Sequence, residues 1–165
     1  MFRAAIAAQT ELGRKVEPIL ASGALVPDEI TIAIIRDRLG EEDARRGFVL
    51  DGFPRNEAQA DALDAMLDEI GRRLDAILFF DLPDGIATER MLSRADEEGR
   101  PDDTPEVIAK RLATYHSETE PIVEHYRLRG TLVPLHAERT INEVYAEIQE
   151  ALERLEERSY SGEGA

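Results

Sequence analysis

The feature that most limits the fold is a short apolar run, residues 48–50, which leads directly into the turn Asp51–Arg55. Three consecutive apolar residues are typical of a strand that is covered on both faces, as in a parallel sheet. The turn places a carboxylate, a glycine, a proline and a guanidinium at the end of that strand. Ligands of α/β proteins bind at this edge of the sheet. The turn therefore predicts a binding site.

Strands and helices alternate along the rest of the chain. Strands are predicted at 48–50, 76–80 and 131–135, and helices at 2–22, 29–39, 56–72 and 141–157, where apolar residues recur at helical spacing. Asp28 is a possible cap of the second helix. The alternation predicts an α/β domain with a parallel sheet.

Composition excludes several classes of protein. The 165 residues include no cysteine, so neither disulfides nor a thiolate zinc site are available. A formal charge of −15 argues against a non-specific nucleic-acid binder, which needs a basic face. No apolar run approaches the roughly 20 residues that span a bilayer. We therefore expect a cytoplasmic protein that has no nucleic-acid or membrane partner.

Residues 94–103 contain arginines, acids, a glycine and a proline but no apolar face, which predicts an exposed, mobile segment. Thr104 and Pro105 then form a typical helix start. On that helix Arg111 lies beside the predicted buried stripe, where a guanidinium is costly unless it meets an anion. A surface ion pair with a nearby acid is the alternative interpretation.

Together these residues resemble adenylate kinase, a nucleoside monophosphate kinase of the P-loop class, over about residues 1–155. The matching segments are residues 1–5, 10–13, 23–28, 51–55 and 100–103, followed by Arg111. The resemblance implies a P-loop NTPase-like three-layer α/β/α fold with a parallel sheet. Its single domain would cover residues 1–158, with an AMP-binding segment at about 1–40, a short lid at about 94–103, and a disordered tail at 159–165.

The resemblance also implies a reaction, the reversible transfer of a phosphoryl group from ATP to AMP to give two ADP. The implied catalytic residues are Arg55, Arg94, Arg100 and Arg111. The implied AMP-binding residues are Arg3, Ala24, Leu25, Val26, Gly52, Phe53, Pro54, Arg55, Gln59, Arg100 and Arg111, among which Gln59 would read the adenine edge. ATP would contact Arg94 and Arg139, and Asp51 would orient Mg²⁺ through water. Arginines with one metal-orienting carboxylate suit phosphoryl transfer, which needs positioning and charge neutralisation.

Several of these residues also have simpler interpretations. Asn56 and Gln59 have the spacing of a capping box at the start of a helix. Arg94 and Arg100 alternatively offset the acids around them, and Arg3 is alternatively a solvated residue near the chain start. These alternatives stay open at the level of sequence.

One departure from the family pattern concerns the phosphate-binding loop. The sequence contains no G-x-x-x-x-G-K-[ST], and neither Lys15 nor Lys110 has the required glycine frame. In the family this loop belongs to a βα unit of about 30 residues that includes a central strand. Met1 falls where an internal methionine often stands, which predicts a start assigned too late or a fragment. If the 165 residues are the whole polypeptide, we expect negligible kinase activity and a poorly packed sheet.

Two other functions stay open. One is a kinase for a different monophosphate, UMP, CMP or GMP, against which Gln59 favours adenine. The other is a non-catalytic remnant that binds nucleotide, which the missing loop favours and the set of arginines disfavours. In each case the expected partners are small nucleotides, ATP, AMP and ADP for the kinase, and we expect a monomer.

Overall fold

A computed structural model describes residues 1–100 and 102–160, and the side chains up to residue 157. Within these residues the helices are α1 (Phe2–Ala7), α2 (Glu11–Ala21), α3 (Asp28–Gly40), α4 (Glu57–Glu69), α5 (Asp84–Glu98), α6 (Pro105–Thr114), α7 (Glu120–Leu128) and α8 (Ile141–Tyr160), and the strands are β1 (Ile77–Asp81) and β2 (Leu132–His136). A 3-10 turn at Glu42–Arg46 follows α3, and a π-helical turn at Tyr115–Thr119 joins α6 to α7. The fold is a helix-rich α/β architecture, as the sequence predicts.

The sheet confirms two of the three predicted strands. β1 and β2 pair in parallel, with Ile77 opposite Leu132 and Asp81 opposite His136. Parallel neighbours need a long crossover, which α5, α6 and α7 supply. Both strands therefore end at the same edge, where the loops into α5 and α8 begin.

The strand predicted at residues 48–50 does not form. Among the residues that the structure describes, no strand pairs with this segment. Phe48 and Leu50 pack against the core between α3 and α4, whereas Val49 is 93% exposed. The prediction was wrong because the consecutive apolar residues suggested a strand with both faces buried. In the described part of the protein only one side of this segment is buried, and no neighbouring strand lies beside it to form backbone hydrogen bonds.

The hydrophobic core centres on α4. One cluster joins α4 to α3 and to the 51–55 turn, and consists of Ile35, Leu39, Phe53, Leu63, Met66 and Leu67. A second cluster joins α4 to α7 through Ala60, Ile122 and Tyr126, with Ile77 of β1 and Leu132 of β2 packed against it. Helix α4 thus holds the turn, the sheet and α3 in fixed relation.

The helix predicted at 2–22 is interrupted between α1 and α2, where Gln9 has φ +52°. Thr10 then caps α2 by accepting a hydrogen bond from the backbone N–H of Gly13 at 3.0 Å. At Gly13 the two helices touch, since a Cβ there would lie 2.1 Å from the carbonyl oxygen of Ala5. The glycine therefore sets how closely α1 approaches α2.

Two further expectations need correction. The segment predicted to be exposed at 94–103 is helical up to Glu98, and the side chain of Asp103 is fully buried. Helix α8 continues through Tyr160, two residues into the predicted disordered tail, and residues 161–165 lie outside the described residues. None of the described helices is both long and apolar enough to cross a membrane.

The close contact at Gly13 generates a test of the α1–α2 arrangement. We expect Gly13→Ala to destabilise the chain by about 1–3 kcal/mol, because the added methyl group overlaps the backbone carbonyl of Ala5 and α1 must shift away from α2. Gly40→Ala is the matched control, since a Cβ at this helical glycine meets nothing within 4 Å. Urea unfolding should show no loss for the control. Equal stability of both variants would contradict the packing described here.

Candidate active site

Two adjacent carboxylates precede helix α6. The hydroxyl of Thr104 accepts a hydrogen bond from the backbone N–H of Val107, and Pro105 occupies the first turn, which fixes where the helix begins. Asp102 and Asp103 stand immediately before that cap, and Asp103 N–H donates to the carbonyl of Arg100 at 3.3 Å. The side chain of Asp102 is 9% exposed and that of Asp103 is 0% exposed. Buried carboxylates of this kind require cationic partners.

Three arginines from separate parts of the chain provide those partners. Asp103 accepts hydrogen bonds from Arg94 Nε and Nη2, at 3.0 and 2.9 Å, and from Arg111 Nη1. Asp102 accepts from Arg111 Nη2 at 2.6 Å and from Arg3 Nη2 at 3.1 Å. Arg111 therefore bridges both carboxylates. We call these five residues the arginine–aspartate cluster.

The electrostatics of the cluster favour the ionised form of Asp102. Burial alone would raise the pKa of Asp102, but hydrogen bonds from Arg111 and Arg3, together with their charges, lower it below its ordinary value. Charge-assisted hydrogen bonds of this kind are among the stronger ones in proteins. The carboxylates in turn allow like-charged guanidinium groups to lie close to each other.

The turn at residues 51–55 folds the side chain of Arg55 back over its own backbone. Arg55 Nε donates to the carbonyl of Gly52 at 2.7 Å, and Thr119, in the π-helical turn, donates its hydroxyl to the Arg55 carbonyl at 2.7 Å. Gly52 has φ +69°, and a Cβ there would lie 2.7 Å from Arg55 Nη2. Phe53 is buried in the core and anchors the turn, and Pro54 is half-buried beside it.

Arg55 lies in the electrostatic field of the cluster. Burial lowers its pKa, the charge of Asp51 opposes that shift, and the charge of Arg111 adds to it. Residues 23–26, which belong to the predicted AMP-binding segment, lie at the same place, since a Cβ on Gly23 would be 3.3 Å from Arg111 Cγ. Val26 is buried there, and Ala24 and Leu25 are half-buried. The structure thus brings Arg3, Arg55, Arg94 and Arg111 together beside this segment.

Two other predicted residues are not part of this grouping. Arg100 pairs with Glu98, with its Nη2 2.5 Å from a carboxylate oxygen. Arg139 lies in the turn after β2, and its carbonyl accepts a 3.4 Å hydrogen bond from Arg90 Nη2. No described contact joins the guanidinium of either residue to the arginine–aspartate cluster.

Gln59 lies at the start of α4, where one of its two interpretations places it. Asn56 caps α4 by accepting from Gln59 N–H at 2.9 Å, as the capping alternative predicts. The Gln59 side chain, however, accepts from the backbone N–H of Arg55, one residue before the cap, and donates to Asp28. Asp28 does not cap α3 with its side chain, because that helix begins after Pro27. A contact of Gln59 with adenine stays a prediction.

The residues present are compatible with a magnesium–nucleotide complex. Among the described residues no group of three or more His, Cys, Asp or Glu side chains could hold a metal ion alone. Mg²⁺ bound to a nucleotide usually needs one or two carboxylates, because phosphates and water complete its shell. Asp51 is exposed beside Arg55 and accepts no hydrogen bond from the described part of the chain. Its carboxylate fits a contact to Mg²⁺ through water.

Comparison with known proteins identifies the family of the chain. The family model described as "Adenylate kinase" matches residues 1–131. An adenylate kinase of Cyanothece sp. is 43% identical over 155 residues, which cover 94% of this chain and 80% of the relative. The adenylate kinase of Caulobacter vibrioides is 46% identical over 153 residues, covering 93% and 80%. The chain belongs to the adenylate kinase family. The members of this family are phosphotransferases, and the α/β fold with its parallel sheet is consistent with theirs.

Sequence reasoning missed the two acids that organise the arginine–aspartate cluster. Asp102 and Asp103 belong to a matched segment, but their charge suggested a solvated loop and only the arginines were chosen as functional residues. Their spacing gave no signal, because Asp102 and Asp103 lie nine and eight residues before Arg111, whereas side chains pair along a helix at three or four residues.

The burial of Asp103 leads to a test of stability. We expect Asp103→Asn to destabilise the chain by about 1–3 kcal/mol, because a neutral amide leaves Arg94 and Arg111 without their charged acceptor. Asp96→Asn, an exposed position on α5, loses the same charge and should cost about 0.5 kcal/mol or less. Urea unfolding measures both. Similar losses for the two variants would contradict the account.

The lowered pKa of Asp102 predicts a pH dependence. An aspartate that is more acidic in the folded chain than in the unfolded chain stabilises the fold above its ordinary pKa of 3.8, and this stabilisation disappears as the pH falls through the folded value. The stability difference between the parent chain and Asp102→Asn should therefore shrink from pH 6 to pH 3. The difference for Asp96→Asn should change less. A constant difference for Asp102→Asn would show that its ionisation does not contribute.

Proposed function

We propose that the described residues form the AMP-binding and lid portions of an adenylate kinase, an enzyme that transfers a phosphoryl group reversibly from ATP to AMP. One observation carries this proposal: four arginines distant in sequence are gathered beside the 23–26 segment and the 51–55 turn. A protein with a formal charge of −15 has no general need to concentrate cations at one point. Binding of a ligand that carries phosphate would explain this concentration of cations.

The roles follow from position. Arg55 and Arg3 would bind the AMP phosphate, and residues 24–26 would line its base and ribose through their backbone. Arg111 and Arg94 would neutralise charge on the transferring phosphoryl group once a phosphate replaces part of their contact with the aspartates. Arg100 would join them only after it leaves Glu98, which a closing lid allows.

The proposed ATP side of the site involves Arg94, Asp51 and the loop that contains Arg139. We propose that Arg94 faces the ATP phosphates and that the loop containing Arg139 passes the ATP base. When Mg²⁺ is bound with ATP, it neutralises phosphate charge, and Asp51 would hold its water shell. The 165 residues contain no glycine-rich phosphate loop, and we expect AMP binding by this polypeptide but little turnover. That the protein is a monomer and lies in the cytoplasm stays a prediction.

A second candidate is a kinase for another nucleoside monophosphate. The observation that favours it is the environment of Gln59, which is 2% exposed and already bonded to Asp28 and Arg55. The amide keeps one donor and one acceptor beyond these bonds, but its burial limits how easily a base reaches them. Calorimetric titration of the chain with AMP, GMP, CMP and UMP separates the two candidates.

Removal of one cation tests the proposed phosphate site. We expect Arg55→Ala to weaken AMP binding about 10- to 100-fold, because a charged hydrogen bond contributes about 1.5–3 kcal/mol. Arg36→Ala is the control, since Arg36 forms an exposed pair with Glu69 outside this region. Adenosine lacks the phosphate, so its binding should change little in either variant. Unchanged AMP affinity in Arg55→Ala would contradict the assignment.

A further inference from the structure

A single carboxylate joins the N-terminal ends of α3 and α4. Asp28, the first residue of α3, accepts hydrogen bonds from Gln59 Nε2 at 2.7 Å and from Asn56 Nδ2 at 3.0 and 3.2 Å. Both donors stand in the first turn of α4 or at its cap. A shallow depression opens over Asp28 and Asn56. This junction lies next to Arg55, but none of its contacts uses the Arg55 guanidinium.

The oxygen and the nitrogen of the Gln59 amide face groups with opposite hydrogen-bonding roles. Its oxygen accepts from the backbone N–H of Arg55 at 2.8 Å, and its nitrogen donates to Asp28. A backbone N–H can only donate, and a carboxylate can only accept. Rotating the amide by half a turn would place oxygen against carboxylate and NH₂ against N–H. The surroundings of Gln59 therefore specify one orientation of its amide.

The orientation of a glutamine amide decides which purine it can pair with. On the edge of adenine that carries the 6-amino group and N1, an amide accepts from the amino group and donates to N1. A 6-oxopurine such as hypoxanthine has an acceptor at position 6 and a donor at N1, so it requires the opposite orientation. The amide oxygen and nitrogen of Gln59 each retain one unused hydrogen-bonding site. Gln59 is only 2% exposed. A base therefore reaches these two sites with one of its edges, or after the contact between α3 and α4 loosens.

We propose that Asp28 is a positioning residue for base selection, which holds Gln59 in the orientation that favours 6-aminopurine over 6-oxopurine monophosphates. The inference rests on the proposed function, in that it assumes AMP binds here with its base toward Gln59. Asp28 itself does not touch the nucleotide. Asp28 affects the ratio of the affinity for a 6-aminopurine monophosphate to the affinity for a 6-oxopurine monophosphate. A purely structural link between α3 and α4 would alter both affinities equally.

Calorimetric titration of the 165-residue chain with AMP and with IMP tests this role. The parent chain should bind AMP about tenfold or more tightly than IMP. Asp28→Asn retains the size of the side chain but can both donate and accept, so only the Arg55 backbone N–H still orients the Gln59 amide, and the preference should fall to about threefold. Glu29→Gln is the matched control, because it removes the same charge from the next, exposed residue of α3 and should leave the ratio unchanged.

The outcomes separate this inference from the proposed function. If the parent chain binds neither nucleotide, the AMP site itself is wrong. If it binds IMP as tightly as AMP, or if Asp28→Asn weakens both equally and keeps the ratio, the AMP site stands and the role of Asp28 is overturned. Circular dichroism checks that the variant folds. Should Asp28→Asn be unfolded, Asp28→Ser decides by the same ratio, since a hydroxyl also both donates and accepts.

Discussion

The ion pairs between two buried aspartates and three arginines are the interaction on which the site depends. Guanidinium groups repel each other, and a cleft that concentrates them is unfavourable without anions. Asp102 and Asp103 provide those anions from the segment between α5 and α6, and they are far more buried than the arginines they bind. The carboxylates therefore position cations that keep part of their surface available to a ligand.

Arg55 connects this cluster to the rest of the proposed nucleotide site. Its backbone N–H holds the Gln59 amide, its carbonyl accepts from Thr119, and its side chain curls over Gly52. Its guanidinium lies in the field of Arg111 and Asp51. The residue that we propose to bind phosphate thus also supports the residue that we propose to read the base, and both depend on the packing of α4.

The sequence predicted those features that local pattern determines. The strands at 76–80 and 131–135 and the Thr104 cap were evident from apolar runs and helix-start chemistry, and the 51–55 turn identified the family. The failures concern tertiary environment. The run at 48–50 is apolar enough for a strand, but pairing depends on a neighbour that sequence does not reveal. Asp103 looked like a surface acid, because burial beside Arg94 and Arg111 arises only once α5 and α6 pack together.

The central claim is that the aspartates hold the arginines ready for exchange with phosphate. A carbon-13 NMR titration of the Asp102 carboxyl group, with and without saturating AMP, tests it most directly. In the free chain we predict a pKa below the ordinary value. With AMP bound, the pKa should rise, because the AMP phosphate takes over part of the positive charge of Arg3. An ordinary pKa in the free chain, or no change when AMP binds, would contradict the account.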